Sequence, residues 1–261
     1  FVVGALPEGF GGLSFAGAIG IATGIALIAA MPGGSLSNLL TFIGNGKVAL
    51  SVSLTAITTF ICLFATPIVL AALVTVQVPG DFVIDKSQIM LDIGLFLIVP
   101  LLAGMVVRRL THSKQQILFT KLMVRASLAL LALIILGSLG AGRLQFSPYG
   151  WLGPAIIIVV GIGALYLTRL CAFACGMAER DSLAIVIEVT VKNGLLALLV
   201  VTSMFPSRML VTEGSQLDSM IIAAHDGCIF VVLFFSGFAM VAGSVTALRG
   251  RKRRGRNGEA T

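Results

Sequence analysis

Pro32-Gly33-Gly34-Ser35-Leu36-Ser37-Asn38 interrupts an apolar run that begins at about Leu13, reaches Met31 and resumes briefly to about Ile43. Proline supplies no amide donor and glycine tolerates irregular backbone, so a regular helix does not pass through this stretch. In lipid an unpaired backbone group costs several kcal/mol, and such a break must therefore face protein, water or an ion. A second interruption, Glu188-Val189-Thr190-Val191-Lys192-Asn193-Gly194, sets two ionisable groups and an amide in the middle of another apolar run. A charge at that depth costs roughly 2.5–3.5 kcal/mol even on a lenient insertion scale. A chain keeps such groups where they are paired or used.

The sequence around the breaks belongs to a membrane protein. Of 261 residues, 57% are hydrophobic and 11% charged, against about 25% charged in soluble domains. Apolar stretches of the length that crosses a bilayer recur along the chain. The broken run from Leu13 is the first; Lys47 to about Val76, Ile89 to Val107, Leu118 to Leu139, Leu152 to Met177, Ser182 to Phe205 (with the second break) and Met220 to Leu248 follow. A barrel would need short alternating segments, and none is apparent. The expected architecture is an all-α polytopic membrane protein of seven spans. One transmembrane domain fills 1–261: 1–12 as the end of an absent helix and an outer loop, 13–248 as the spans, 249–261 as a basic tail. Phe1–Leu6, apolar and stopped by Pro7-Glu8-Gly9, reads as the last turns of that earlier helix.

Charge sets the orientation. With the tail inside, the cytoplasmic side receives Lys47, Arg108, Arg109, Lys114, Lys121, Arg125, Arg169 and Arg180 besides the six Lys and Arg residues of 249–256. The outer side receives Lys86, Arg143 and Arg208. This bias places the C-terminus in the cytoplasm of a bacterial inner membrane. Acidic Asp81, Asp85, Glu213 and Asp218 fall outside. The basic tail is read as a positive-inside anchor, and no basic, aromatic-bearing surface suggests nucleic acid. Cys62, Cys171, Cys175 and Cys228 lie in apolar stretches, and one-turn spacing of Cys171 and Cys175 is not that of a metal-binding pair. No disulfide framework, cofactor or metal beyond sodium is expected.

The two breaks lie five spans apart, so the broken helices run in opposite directions. Discontinuous helices in inverted positions point to a transporter's midplane binding site. The second span adds Ser51 and Thr55 at i, i+4, which share a helical face. Either hydroxyl alone can simply bond its own helix carbonyls. Together with Ser37, Asn38 and Glu188 they compose an oxygen-only set suited to a hard cation.

At these residues the chain resembles the bile acid:sodium symporter family. Residues 32–38 and the stretch Gly46-Lys47-Val48-Ala49-Leu50-Ser51-Val52-Ser53-Leu54-Thr55 are similar to the family's first crossover and following helix, and Ile187-Glu188-Val189 with Asn193 and Gly194 to its second crossover. The resemblance implies an inverted-repeat secondary transporter with two broken, crossing helices. The chain would hold the fourth to tenth of ten helices. It further implies two sodium sites. Ser37, Asn38, Ser51, Thr55 and Glu188 match the first. The second uses the same Glu, backbone oxygens near Val189 and a glutamine where this chain has Lys192. Two readings of Lys192 stay open: an ion pair with Glu188 at i, i+4, or an ammonium in the place of the second sodium. Either offsets the carboxylate with a tethered cation, which implies symport with one sodium or proton coupling through Lys192. Asn193, His225 and Asp226 match the substrate cavity, although a hydrogen bond within the bundle explains His225 and Asp226 equally. Asp92 is expected at an outer interface.

The function implied is sodium-coupled symport of a small organic anion, such as a bile-acid-like steroid, a keto acid or a pantothenate-like acid. Proton-coupled or uncoupled transport of such an anion is the nearest alternative. A receptor or regulator on a transporter fold would need no ion ligands. An enzyme is not expected, since HExxH and GxSxG motifs are absent.

Overall fold

The structure, a computed structural model, describes residues 12–74, 86–111, 113–140, 149–205 and 216–256. The expected helix end at 1–6, Asp81, Asp85, Arg143, Arg208, Glu213 and the tail beyond 256 lie outside the described residues. Nine α-helices appear among them: α1 (Phe15–Ala30), α2 (Ser35–Ile43), α3 (Val48–Val74), α4 (Lys86–Leu110), α5 (Ser113–Gly140), α6 (Leu152–Ala174), α7 (Glu179–Thr190), α8 (Gly194–Met204) and α9 (Gln216–Arg256). No strand is present among the described residues; a single antiparallel bridge pairs Gly33 with Lys192.

The two interruptions read from the sequence are the two places where an apolar run divides into separate helices. α1 starts at Ser14, whose side chain accepts from the Gly17 amide at 3.0 Å, the usual N-cap device for an orphan donor. It stops at Ala30 ahead of Pro32. Ser35 begins α2 after an extended Gly34, and α7 gives way to α8 through Val191-Lys192-Asn193. The turn after α2 uses Asn45 in the left-handed region, φ 55°, where asparagine is better tolerated than most residues.

α1 and α9 form the centre of the bundle and pack together closely. Small residues make this possible: a Cβ on Gly227 would lie 2.4 Å from Gly20 Cα, and one on Gly24 would lie 2.6 Å from Val231 Cβ. Such small-residue contacts let helix backbones approach in lipid, where the hydrophobic effect no longer draws helices together. Outward, α3, α4 and α6 expose apolar side chains such as Phe60, Ile68, Leu91, Phe96, Val159 and Leu170, as lipid requires and water would not tolerate in such number.

Val48–Ala72, Leu152–Ala174 and Ala224–Arg253 are each long and apolar enough to cross a membrane, and Gly17–Ala30, before the first break, and Gly194–Met204, after the second, are shorter apolar helices. The chain is an all-α multi-pass membrane protein.

Candidate functional site

The broken helices satisfy each other. The Gly34 amide donates to Val191 O at 3.1 Å, and the Asn193 amide donates to Pro32 O at 3.0 Å. These bonds run across the Gly33–Lys192 bridge, so each break is the hydrogen-bonding partner of the other. Helix ends leave carbonyls without intrahelical donors, and those of α1 are found new ones. Met31 N–H turns back to Ile28 O at 3.2 Å, Thr66 Oγ1 from α3 donates to Ala30 O at 3.0 Å, and Lys192 Nζ donates to Met31 O at 3.1 Å. On the α8 side, Asn193 Oδ1 accepts from the Leu196 amide at 3.1 Å and so caps that helix.

Beside this crossing, α2, α3 and α7 bring Ser37, Asn38, Ser51, Thr55 and Glu188 together. Ser37 Oγ lies 2.5 Å from Glu188 Oε2 and 2.6 Å from Gly34 O. Thr55 Oγ1 lies 2.7 Å from Glu188 Oε1, and Ser51 Oγ lies 3.3 Å from Oε2. Asn38 Oδ1 sits 2.8 Å from Ser51 Oγ and 3.4 Å from Thr55 Oγ1. Thr55 Oγ1 also lies 3.0 Å from Ser51 O, the helix back-bond that the plainer reading expects. Each hydroxyl has one proton to give, yet each faces two or more acceptor oxygens. The cluster is thus rich in acceptors and poor in donors around one carboxylate. Ser37, Ser51 and Glu188 are buried, Glu188 to 4% exposure. Buried acceptors around a negative charge are what a hard cation satisfies.

Two further residues shape this place. A Cβ at Gly33 would lie 1.9 Å from Glu188 Oε1 and 2.3 Å from its Cδ, so the carboxylate occupies the room that the missing side chain leaves. Thr41 Oγ1, 3.4 Å from Ser51 Oγ, extends the hydroxyl row along α2. Sequence reading took Gly33 for flexibility and passed over Thr41. The signal for Thr41 was available, since it stands i+4 from Ser37 on α2.

The crossing also separates the two charges of the second break. Glu188 lies against Ser37 in the first turn of α2, and Lys192 reaches the carbonyl that ends α1. Helix N-terminal turns favour negative charge and C-terminal carbonyls favour positive charge. No ion pair joins Lys192 to Glu188; the i, i+4 pairing open to them in a continuous helix is broken because α7 ends at Thr190 between them. Val189, on the same turn, is partly buried.

His225 and Asp226 do not join this cluster. His225 Nδ1 lies 3.0 Å from Asp226 Oδ1, and its ring meets Phe205 edge-on at the end of α8 away from the break. Eleven residues of α8 separate Asn193 from Met204, about 16 Å of helix axis. Asp92 on α4 accepts from Ser203 Oγ on α8 at 2.5 Å and is half-buried. It thereby joins α4 to α8 near the C-terminal end of α8. Among the described residues no group of three or more His, Cys, Asp or Glu side chains could hold a metal ion.

Comparison with known proteins relates the chain to sodium-dependent transporters. The chain is 29% identical over 192 residues to an uncharacterized sodium-dependent transporter, YocS, of Bacillus subtilis (strain 168); the match covers 71% of this chain and 56% of the relative. It is 25% identical over 185 residues to a probable sodium/metabolite cotransporter, chloroplastic BASS1, of Oryza sativa subsp. japonica, covering 70% of this chain and 44% of the relative. A shorter match, 41% identical over 61 residues, is to a probable sodium/metabolite cotransporter, chloroplastic BASS2, of the same plant, covering 23% of this chain and 15% of the relative. The chain therefore spans about half the length of the first two. Residues 12–146 match the model of the sodium bile acid symporter family. That segment contains the first break together with Ser37, Asn38, Ser51 and Thr55, and it makes up about half of the chain, which belongs to the sodium bile acid symporter family.

Proposed function

We propose that this chain carries the ion-binding core of a sodium-coupled symporter for a small organic anion. The observation that carries the reading is the convergence of hydroxyl, amide and carboxylate oxygens from α2, α3 and α7 on one buried place beside the paired breaks. Ser37, Asn38, Ser51, Thr55 and Glu188 would hold one sodium ion, whose charge the Glu188 carboxylate balances. The printed names of the relatives, sodium-dependent transporter and sodium/metabolite cotransporter, support sodium as the coupling ion.

Lys192 takes the place of a second mobile cation. Its ammonium rests on the Met31 carbonyl, beside the paired backbones. One sodium per cycle follows, with the tethered charge retained through it. Asn193 lies nearest the crossing among the cavity candidates, and His225 with Asp226 would contribute at the far end of α8. The organic anion is favoured over a cationic substrate because the family resemblance carries it and because Lys192 adds fixed positive charge at mid-membrane. Seven spans, a cytoplasmic tail and a bacterial inner membrane complete the proposed arrangement.

Uptake by the full-length protein in proteoliposomes tests this. An inward sodium gradient should drive saturable uptake of labelled organic anions, and choline in its place should not. Equal uptake in both media would overturn sodium coupling. Lys192→Gln should raise the Hill coefficient for sodium from about one toward about two; an unchanged coefficient would remove the altered second site.

A further inference from the structure

A groove of about 800 Å³ opens between α6, α7 and α9, and none of the residues of the ion cluster lines it. Its floor is a close helix contact: a Cβ on Gly161 would lie 2.3 Å from the Phe238 ring, so α6 and α9 touch there. Beyond that contact, toward the C-terminal ends of both helices, both continue to line the opening. The two walls change character together along that direction. On α9, Phe238, Ala242 and Val245 lead to Arg249 and Lys252; on α6, Ile162 and Leu165 lead to Arg169, with Phe173 beyond it as an apolar edge. These residues recur at three- and four-residue spacing, so each series is one face of its helix. Phe238 and Arg249 are eleven residues apart, about 16 Å along the axis.

A space apolar at its base and cationic at its mouth, on the side of helices that cross a bilayer, has the polarity of a membrane lipid standing upright. We propose that this groove binds an anionic phospholipid, with one acyl chain laid along Phe238 and Ala242 and the headgroup phosphate held by Arg169, Arg249 and Lys252. The charge balance selects an anion. Glu179 is the carboxylate that lines the groove, and it is matched by Arg253 at 3.7 Å, which leaves three cations over. Basic pockets between membrane helices are established lipid-headgroup sites by the same chemistry. The aliphatic stems of these arginines and the lysine can also cover apolar surface while their charged ends reach the phosphate. This assignment stands independently of sodium coupling, because it concerns a different face of the molecule.

Native mass spectrometry of the full-length protein from mixed phosphatidylglycerol and phosphatidylcholine nanodiscs tests the groove. Phosphatidylglycerol should be retained preferentially. Arg169→Gln, Arg249→Gln and Lys252→Gln should each lower that retention about fivefold, the effect of one cation near an anionic membrane surface. Arg251→Gln removes an exposed cation that does not line the groove and should leave retention unchanged. Ala242→Trp fills the apolar wall without altering charge and should also expel the lipid. Equal retention of both lipids would overturn the proposal. So would equal losses for Arg251→Gln and Arg249→Gln, which would mean diffuse attraction by the tail, or displacement by millimolar inorganic phosphate, which would mean a soluble anion site.

Discussion

At the first break the chain offers only short, uncharged groups, Gly33, Gly34, Ser37 and Asn38, whereas at the second it offers Glu188 and Lys192. In backbone terms the two are equals, each supplying one amide and one carbonyl to the other across the Gly33–Lys192 bridge. Their difference shows how a membrane protein can bury charge without pairing the charges to each other. The first break provides helix ends and empty volume; the second provides the charges that use them. Glu188 occupies the space over Gly33 beside the start of α2, and Lys192 takes the carbonyl at the end of α1. Each charge is met by the helix end of suitable sign.

The hardest way to break this comparison is to remove the negative charge. Glu188→Gln keeps the side chain's shape but would leave the proposed sodium ion without its counter-charge. Taking one member from a buried charge pair costs about 3 kcal/mol or more, so sodium affinity, read from the sodium dependence of uptake, should fall at least about a hundredfold. A fall smaller than about tenfold would mean that the ion rests elsewhere. The next largest effect separates room from flexibility at the first break. Gly33→Ala puts a methyl where Glu188 Oε1 now lies, whereas a Cβ on Gly34 would make ordinary contact at 3.4 Å with Lys192 O. Gly34 has φ −96°, which alanine adopts readily. Sodium affinity should therefore drop more than about tenfold for Gly33→Ala and less than about twofold for Gly34→Ala. Equal losses would show that the break needs pliable backbone rather than space. Smaller again is Thr55→Val, which keeps the shape and deletes one oxygen of the cluster; a loss of about 1–2 kcal/mol, near tenfold in sodium affinity, is expected.

Much of this arrangement was legible in the sequence because its local causes are strong. Proline and paired glycines end a helix wherever they stand, and the cost of a carboxylate in lipid marks Glu188 without any knowledge of its neighbours. Ser51 and Thr55 declare a shared face by spacing alone. What remained hidden depends on how separate helices cross. Gly33 reads as flexible backbone until Glu188 is seen filling its missing side chain. Lys192 leaves two readings open, an ion pair with Glu188 or a separate cation place, until the end of α7 at Thr190 and its bond to Met31 O are seen. His225 sits beside Asp226 in sequence, yet its distance from the crossing follows from the length of α8 and its contact with Phe205. Helix interruption is a property of a few adjacent residues; the destination of a long side chain at the interruption is a property of the bundle.

Asp92 gives the smallest effect and the sharpest control on that distinction. It lies on α4 and accepts from Ser203 on α8, past the second break. If α8 transmits nothing of the ion site beyond its first turn, Ser203→Ala should cost only the net worth of a hydrogen bond, about 1 kcal/mol in thermal stability, and leave sodium affinity unchanged. Asp92 has further interactions to fall back on, which keeps the expected loss at the low end. A change in sodium affinity comparable to that of Thr55→Val would instead mean that the α4–α8 contact sets the position of Asn193 and Lys192. The boundary between the site and its scaffold would then lie along α8 rather than at its N-cap.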